Sequence, residues 1–274
     1  MSARTPGAID SPRNSRILAA RELRTAKGRR EANALLVEGA HAVTTALAAS
    51  CVVRSLFVTE AAADREVALL RSAARGGIAV HTVSERAFQA IGETVTPQGV
   101  VAVVEVPERS GLPAAPRLAV MLHECADPGN AGTVIRTADA AGADVVLLSA
   151  RSADVWSGKC VRASAGSVFN VPISIGHETL AAVEEVRRRG CQVLATAADG
   201  DSDLFDLVEH GELAAPTAWL FGSEAHGLST SLLDAADRVV RIPIHGRAES
   251  LNLAASAAIC LYSSARAQRS PAAR

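Results

Sequence analysis

Three short polar stretches, each directly after a predicted apolar strand, hold the side chains of this sequence that could bind or convert a ligand. They span residues 127–136, 221–229 and 242–253. Because ligands in open α/β sheets bind outside the carboxyl ends of the strands, the stretches predict one shared site. In chain order they supply an amide and a guanidinium, a carboxylate, and a hydroxyl and an amide: Asn130 and Arg136, Glu224, and Ser250 and Asn252.

Each stretch taken alone also has a plainer interpretation. Asn130 is a good candidate to cap the helix that we predict over residues 133–141. Arg136, within that helix, would more often be a salt-bridged surface residue than a functional one. The two glycines that bracket the carboxylate, Gly222 and Gly227, let a backbone come close to a ligand, yet they suit an ordinary tight turn equally well. The agreement of all three stretches is what favours a site.

Several common kinds of site are absent from the sequence. Gly222 and Gly227 have the outer spacing of a phosphate-binding P-loop, but Leu228-Ser229 follows where Lys-Ser/Thr is required. No GxGxxG lies between a first strand and its helix, which argues against a Rossmann dinucleotide site and the common Rossmann-type methyltransferase. The seven histidines include no HxxH or HxxxH pair, so we expect no metal.

The composition predicts a folded chain with a substantial core. The sequence has 274 residues, of which 49% are hydrophobic. No apolar run approaches the roughly 20 residues that span a bilayer, so we expect no membrane partner. Five scattered cysteines form no CxxC and are odd in number, which indicates reduced thiols, mostly in the core, and a cytoplasmic location.

Predicted strands and helices alternate along the chain, which favours an α/β fold with a mostly parallel sheet. We predict a small α/β domain over residues 32–106, a proline-rich linker over 107–117, a larger α/β domain over 118–269 and a tail over 270–274. The predicted strands are 34–38, 52–59, 78–83, 99–106, 118–122, 144–148, 171–175, 192–197, 217–221 and 238–242. The predicted helices are 41–49, 62–74, 84–91, 133–141, 158–165, 178–189, 229–236 and 253–265.

A basic arm precedes these domains over residues 1–31. Residues 1–14 show no periodicity and are expected to be loose, whereas 15–31 predict a basic helix. The first 30 residues hold eight arginine and lysine side chains against Asp10 and Glu22, although the whole chain has a net charge of −1. Such an arm fits a phosphate-rich partner. A solvated, partly disordered tail is the alternative.

Read together, the three stretches form the ordered patterns Asn130-x-Gly-x-x-x-Arg136, Gly222-Ser-Glu224-x-x-Gly227 and Ile242-Pro-x-x-Gly-x-x-Glu-Ser250-Leu251-Asn252-Leu253. These patterns resemble the three motifs of the SpoU (TrmH) RNA 2'-O-ribose methyltransferases of the SPOUT superfamily, over residues 118–269. The likeness is to the ribosomal RNA and thiostrepton-resistance types. Leu36-Val-Glu-Gly39 and the strand at 99–106 resemble that family's N-terminal substrate-binding domain, which is similar to ribosomal protein L30e.

The resemblance implies a fold, a cofactor and an assembly. It implies a parallel sheet with a deep C-terminal trefoil knot, preceded by a small L30e-like α/β domain. S-adenosylmethionine would lie bent in the knot, held largely by backbone groups, and no metal would be needed. The family is homodimeric, with the site close to the subunit interface. The residues that match or border its cofactor contacts are Gly222, Ile242, Leu251, Ile244, Ala197 and Gly227.

The implied reaction transfers a methyl group from S-adenosylmethionine to a ribose 2'-OH of RNA, with 23S ribosomal RNA as the expected substrate. In the family, the arginine that matches Arg136 is proposed to take the proton. A guanidinium is normally too basic for that, so Arg136 is either the base or a group that holds the phosphate and orients the ribose. Asn130 and Glu224 would position Arg136. Ser250 and Asn252 would organise the active site and the stretch at 242–253, which we call the cofactor loop.

The first domain and the basic arm are expected to dock the RNA. Only 3% of the residues are aromatic, which favours recognition through phosphates and shape over base stacking. Two alternatives remain, a tRNA ribose 2'-O-methyltransferase and a catalytically inactive RNA-binding protein of the same fold. The candidate RNA-binding residues are Arg21, Arg24, Lys27, Arg29, Arg30 and Arg162, and for Arg162 a solvated helix face is an equally good interpretation.

Overall fold

The computed structural model describes residues 7–94, 96–108 and 111–269, and the chain divides into two compact units. Unit 1 contains the residues up to Glu108 and the segment Asp154–Asn170. Unit 2 contains Arg109–Ala153 and the chain from Val171 onward. The first change of unit falls at the predicted proline-rich linker. The return of residues 154–170 to unit 1 was not predicted, and the predicted tail at 270–274 lies outside the described residues.

The described residues form the following strands and helices. The strands are β1 (Ala34–Glu38), β2 (Val53–Thr59), β3 (Ala79–Val83), β4 (Val100–Glu105), β5 (Leu118–Leu122), β6 (Val145–Ser149), β7 (Ile173–His177), β8 (Gln192–Thr196), β9 (Ser202–Asp203), β10 (Thr217–Phe221) and β11 (Arg238–Arg241). The helices are α1 (Ser15–Glu22), α2 (Ala26–Ala32), α3 (Ala40–Ala48), α4 (Glu60–Arg65), α5 (Val67–Arg75), α6 (Glu85–Ile91), α7 (Pro128–Ala141), α8 (Gly158–Ala163), α9 (Thr179–Arg188), α10 (Leu204–Glu209), α11 (Thr230–Asp234) and α12 (Leu253–Arg269).

Unit 1 is built on a mixed four-stranded sheet in the order β1-β4-β2-β3. β4 runs antiparallel to both β1 and β2, while β2 and β3 are parallel. The predicted helix at 62–74 is two helices, α4 and α5, which meet at Glu66. Ser84 caps α6 as its position predicts, since its Oγ accepts the N–H of Ala87 at 3.3 Å.

The basic arm is part of unit 1 rather than a detached tail. Its predicted single helix is two helices, α1 and α2, and the apolar face of α1 is buried in a core cluster through Ile17 and Ala20. Ile9 pairs with the end of β3, donating its N–H to Thr82 at 2.9 Å. The prediction of a loose segment was therefore wrong at Ile9, and residues 1–6 lie outside the described part of the chain.

Unit 2 is built on a seven-stranded sheet in the order β7-β6-β5-β10-β8-β11-β9. Every pairing described within it is parallel, which confirms the predicted parallel sheet for this unit. β5 and β10 are neighbours at the centre of the sheet. After β5 the chain continues to β6 and β7 on one side of this pair, whereas after β10 it continues to β11 on the opposite side. A crevice forms at such a reversal, outside the carboxyl ends of the strands. The loops after β5 and β10 therefore meet there.

The two central strands, β5 and β10, are buried at every residue. β10 carries Trp219, whose indole N–H donates to the Ser264 hydroxyl of α12 at 2.9 Å, with both side chains fully buried. Sequence analysis did not predict β9 or α10. The start of α10 is capped by Asp203, whose Oδ1 accepts the N–H of Phe205 at 2.9 Å. Among the described residues, no helix combines the length and apolarity needed to cross a membrane.

Candidate active site

The site begins at the start of α7, which is Pro128 rather than the predicted residue 133. Asp127 caps the helix, because its Oδ1 accepts the N–H of Asn130 at 2.9 Å. Pro128 occupies the first helical position. The backbone N–H at this position makes no hydrogen bond within a helix, so proline, which lacks an N–H, costs nothing there. The prediction that Asn130 caps this helix was therefore wrong. Asn130 lies in the first turn, and its side chain is available for contacts outside the helix.

A chain of side-chain hydrogen bonds joins the three polar stretches. The amide Nδ2 of Asn130 donates to Oε1 of Glu224 at 3.0 Å, across 94 residues. The amide Nδ2 of Asn252 donates to Oδ1 of Asn130 at 3.1 Å. Oδ1 of Asn252 accepts the backbone N–H of Ala254 at 2.8 Å, which caps α12. Donor and acceptor alternate without conflict, so this Asn252–Asn130–Glu224 relay fixes the orientation of both amides.

The carboxylate of Glu224 is held by backbone as well as by Asn130. The N–H groups of Ala126 and Asp127 lie 3.2 Å and 3.4 Å from its two oxygens. Burial alone would raise the pKa of the Glu224 carboxyl, but hydrogen bonds from Asn130 and from the backbone N–H groups of Glu224, Ala126 and Asp127 outweigh it and lower the pKa. Glu224 is thus an anion at neutral pH that organises its neighbours, not a proton donor.

The loop that carries Glu224 depends on its two glycines. Ser223 and Gly227 exchange two backbone hydrogen bonds of 3.1 Å and 3.0 Å, which close the loop. A Cβ atom on Gly222 would lie 2.4 Å from the backbone carbon of Gly227, so no side chain fits there. Gly227 has φ of +64°, which favours glycine. The loop is therefore a specific close approach of two backbones rather than an ordinary tight turn.

A cavity of about 280 Å³ opens beside this loop, at the carboxyl ends of β8, β10 and β11. All six residues predicted to hold a cofactor line it: Gly222, Gly227, Ile242, Ile244, Leu251 and Ala197. Glu224 and Ser250 also line it, so the cavity adjoins the relay. Sequence analysis did not assign Thr196, Val240, Leu253 or Ser256 to the site, although Thr196 and Val240 could have been found as the ends of neighbouring strands.

The walls of this cavity combine backbone with apolar side chains. Ile244 and Leu251 each leave 37% of their surface exposed, which is high for large aliphatic residues. Ligand sites of this kind are largely apolar, with a few polar groups that fix orientation. Glu224 and Ser250 supply polar groups here. The cavity suits a ligand with a flat or apolar part and a polar end.

Arg136 is not part of the relay and does not line the cavity. It lies exposed on α7, two turns beyond the helix start, and has no hydrogen bond or ion pair with any described residue. A guanidinium in this state is available for a phosphate, which it can hold through two parallel hydrogen bonds. The structure therefore brings together Asn130, Glu224, Ser250 and Asn252, and it leaves Arg136 apart from them.

The predicted RNA-binding residues fall into two groups. Arg29 is buried, with Nη2 at 2.6 Å from Oδ2 of Asp154 and Nη1 donating to the carbonyl of Leu23 at 3.0 Å. Its prediction as an RNA contact is corrected, since the guanidinium ties unit 1 together internally. Arg162 is half-buried and paired with Glu93 at 2.8 Å. The exposed group consists of Arg21, Arg24, Lys27 and Arg30.

One cysteine contacts this site, since Sγ of Cys125 lies 3.6 Å from Oε1 of Glu224. All five cysteines carry free thiols, and four of them are buried, which confirms their role as core residues. Burial, with a smaller effect of Asp144, raises the pKa of Cys191 to about 11. Burial likewise raises the pKa of Cys260. Within the described residues, no three histidine, cysteine or acidic side chains are grouped so as to hold a metal ion.

Comparisons with known proteins match both units of the chain. The model of the SpoU rRNA Methylase family matches residues 117–262, and that of the MRM3-like substrate binding domain matches residues 14–102. The chain is 34% identical, over 254 residues, to the 23S rRNA (guanosine(2553)-2'-O)-methyltransferase of Bacillus subtilis, covering 93% of this chain and 97% of that protein.

Two crystal structures with bound S-adenosylmethionine (AdoMet) are similar over nearly the whole chain. One is an AdoMet-bound rRNA methyltransferase from Sinorhizobium meliloti, with a TM-score of 0.83 and 31% identity, covering 94% of this chain and 97% of that one. The other is the SpoU methyltransferase AviRb from Streptomyces viridochromogenes in complex with AdoMet. Its TM-score is 0.81, with 30% identity and coverage of 94% and 100%.

Proposed function

This chain belongs to the SpoU rRNA methylase family, and we propose that it transfers the methyl group of AdoMet to a ribose 2'-OH of 23S ribosomal RNA. The observation that carries this function is the Asn252–Asn130–Glu224 relay beside a cavity lined by all six predicted cofactor residues. Relatives that span nearly the whole chain act on ribosomal RNA by name, which favours this substrate over tRNA.

The cavity beside the relay fits AdoMet. Ile242, Ile244 and Leu251 offer apolar surface for the adenine ring. Gly222, directly after β10, lines the cavity and lets the backbone of Gly227 pack against it. Bound there, AdoMet supplies an already activated methyl group on a sulfonium. The protein therefore has to hold this donor and position the acceptor, rather than form a covalent intermediate.

The relay sets the geometry of the acceptor side. Glu224 stays ionised because of its hydrogen bonds, so it holds Asn130 and the start of α7 in place. Ser250 lines the cavity. In this proposal its hydroxyl helps to organise the cofactor loop next to the methyl group. Asn252 couples that loop to α7 through Asn130. A completely hydrogen-bonded relay favours an active enzyme over an RNA-binding protein that has lost catalysis.

Arg136 handles the RNA rather than the cofactor in this proposal. It is exposed and unpaired within the described residues, and a guanidinium does not ordinarily act as a base. We therefore assign it to bidentate binding of the RNA phosphate and orientation of the ribose. Water then accepts the proton that the 2'-OH loses.

RNA docking is assigned to the basic face of α1 and α2. Arg21, Arg24, Lys27 and Arg30 are exposed there, and the MRM3-like substrate binding domain model covers this region. Phosphate contacts of this kind give affinity that falls with salt. Arg162 contributes less, because its charge is already balanced by Glu93.

The proposal includes finer features of fold and assembly. A deep C-terminal trefoil knot is included because the chain belongs to the SpoU rRNA methylase family and is similar over nearly its whole length to the SpoU methyltransferase AviRb. An L30e-like fold for unit 1 is supported by its four-stranded sheet. A homodimer is supported by Tyr262 of α12, which leaves 52% of its surface exposed and which a partner subunit would cover. The proposal includes a cytoplasmic location, because its proposed substrate is ribosomal RNA.

Mapping ribose methylation in cells tests the substrate. We expect one 2'-O-methyl group on 23S rRNA to be present with the gene and absent after its deletion, with tRNA methylation unchanged. If deletion changed 2'-O-methylation only in tRNA, the protein would be a tRNA ribose 2'-O-methyltransferase instead. Unchanged methylation of both RNAs would contradict the proposed function.

A further inference from the structure

A second cavity, of about 360 Å³, lies on the other side of the loop that carries Glu224. Its walls follow the carboxyl ends of four neighbouring strands, β7, β6, β5 and β10. Ser223 and Gly227 line both cavities, so a single loop separates this space from the proposed AdoMet site. If the ribose of an RNA nucleotide approaches the methyl group of AdoMet on one side of this loop, other parts of the RNA can extend into the second cavity on the opposite side.

Glu124 occupies an unusual position in the wall of this second cavity. Its φ of +50° is uncommon for a residue other than glycine, and such conformations are concentrated at functional sites. The conformation is stabilised by the hydroxyl of Ser149, which accepts the Glu124 N–H at 2.8 Å. This left-handed conformation just after β5 brings the carboxylate of Glu124 to the cavity wall.

The carboxylate of Glu124 is only partly satisfied. One oxygen, Oε1, is paired with Arg151 and lies 3.5 Å from Nε2 of His123. The other oxygen, Oε2, has no partner among the described residues. The ring of His123 is fixed by the hydroxyl of Thr179, 2.8 Å from Nδ1. The side chain of Arg151 is 80% exposed, so its ion pair with Glu124 is weak and replaceable.

The charges of the cavity select among possible ligands. Glu124 and Glu178 line it together with Arg151, whose guanidinium is already paired with Glu124, so the remaining negative charge disfavours a phosphate group. Histidine, threonine and serine side chains supply donors and acceptors, and Leu180, which is 38% exposed, supplies an apolar face. A flat heterocycle with a polar edge matches this combination. A carboxylate only accepts hydrogen bonds, so it favours base edges that present an amino group. Uracil has no amino group, and its one edge donor, N3–H, is flanked by two carbonyl oxygens that a carboxylate repels.

We propose that this cavity binds a nucleobase of the acceptor RNA and that Glu124 accepts a hydrogen bond from the amino group of that base. The inference rests on the proposed function and extends it, because it assigns a site of base selection distinct from the AdoMet cavity. Unstacked bases of folded RNA are recognised in this way on their Watson–Crick and Hoogsteen edges. Glu124 is then a specificity-determining residue that takes no part in methyl transfer.

Replacing Glu124 tests the proposal with variants that we expect to remain folded. Glu124→Gly removes the carboxylate and suits the positive φ, so the melting temperature should stay equal or rise. Glu124→Gln keeps the shape of the side chain and removes its charge. For Glu124→Gly, we expect kcat/KM on transcribed 23S rRNA to fall about tenfold or more. Glu124→Gln should lose less, because its amide oxygen still accepts a hydrogen bond without the help of a charge. The Kd for AdoMet measured by calorimetry should stay unchanged in both.

Transcripts with each of the four bases at the methylated nucleotide and at its two neighbours locate the selected base. The wild-type protein should prefer an amino-bearing base over uracil at one of these positions, and Glu124→Gly should abolish that preference. Ser50→Gly is the backbone control, since Ser50 also has a positive φ of 58° but is remote from the cavity in sequence and does not line it. Glu212→Gln is the charge control, because it breaks an exposed ion pair with Arg238.

The outcomes separate this inference from the proposed function. An active wild-type protein whose Glu124 variants keep the same kcat/KM and the same base preference would overturn the base-binding cavity alone. A wild-type protein that transfers no methyl group to rRNA would overturn the proposed function itself. Equal losses in the Glu124 variants and in both controls would assign the effect to general structure and would also overturn the inference.

Discussion

The side-chain amide of Asn252 donates a hydrogen bond to the side-chain oxygen of Asn130, 3.1 Å away and 122 residues earlier in the chain. This bond couples the start of α12 to the start of α7. Asn130 passes the connection on to Glu224, which the loop after β10 carries. The cofactor loop and the acceptor side of the site are thus held by one set of side chains, and a change in any member should affect the whole set.

Asn130→Asp should disable the relay without changing its shape. The substitution removes the amide donor and places a second carboxylate against Glu224, which raises the pKa of Glu224 by repulsion. We expect kcat for rRNA methylation to fall about 10²-fold or more, in line with the loss of a positioning group at an active site. Asn14→Asp is the control, because aspartate caps α1 as well as asparagine does. Unchanged kcat in Asn130→Asp would show that the relay does not position the site.

Arg136→Lys should distinguish the two roles considered for this residue. Lysine keeps the charge but cannot hold a phosphate bidentately, so kcat/KM should fall about tenfold or more. If Arg136 orients the RNA, the pH–rate profile keeps its position. A profile shifted to lower pH in Arg136→Lys would assign proton removal to this residue instead. Arg188→Lys, on the exposed face of α9, should leave both the rate and the profile unchanged.

Gly222→Ala should destroy the AdoMet cavity by a steric mechanism. The new Cβ would sit 2.4 Å from the backbone of Gly227, so the loop has to move. Overpacking of this kind costs about 1–3 kcal/mol, and we expect a lower melting temperature together with loss of AdoMet binding in calorimetry. Gly111→Ala is the matched control, since a Cβ there meets no atom within 4 Å. Retention of wild-type AdoMet affinity in Gly222→Ala would contradict the assignment of the cavity.

Glu224 should make the protein more stable at neutral than at acid pH. Its pKa is lower in the folded state than the roughly 4.3 of an unfolded glutamate. Its contribution is therefore complete above the unfolded pKa and is lost as the pH falls through the folded pKa. Denaturation of wild type and Glu224→Gln from pH 7 to 3 should show a stability difference that shrinks toward acid pH. A constant difference over this range would argue against an ionised, hydrogen-bonded Glu224.

Much of the fold was predictable because the apolar runs and turn residues of the sequence fall where the structure has its strands and loops. The strands β1, β5 and β10 lie where their apolar runs predict them. The start of α7 was mispredicted, because Asp127 competes with Asn130 as a cap and only the structure shows which side chain reaches the helix N–H groups. The segment with β9 and α10 has no strong periodicity, and its structure depends on pairing with β11.

The sequence grouped three of the candidate residues correctly in space but could not predict how they are connected. Asn130, Glu224 and Asn252 were recognised as one set, yet no sequence pattern specifies which amide donates to which oxygen. The burial of Arg29 could not be foreseen either, since its partner Asp154 lies 125 residues away and in a different predicted domain. Glu124 carries no sequence signal, because its positive φ is stabilised by a contact with Ser149, 25 residues further along the chain.

Methyl transfer from tritiated AdoMet to transcribed 23S rRNA by the purified protein tests the central claim most directly. We predict that the label is recovered, after nuclease digestion, as a 2'-O-methylnucleoside from a single position, and that Asn130→Asp loses most of this transfer while remaining folded. Label on a base rather than on ribose, or no label in the rRNA when AdoMet is bound, would contradict the account.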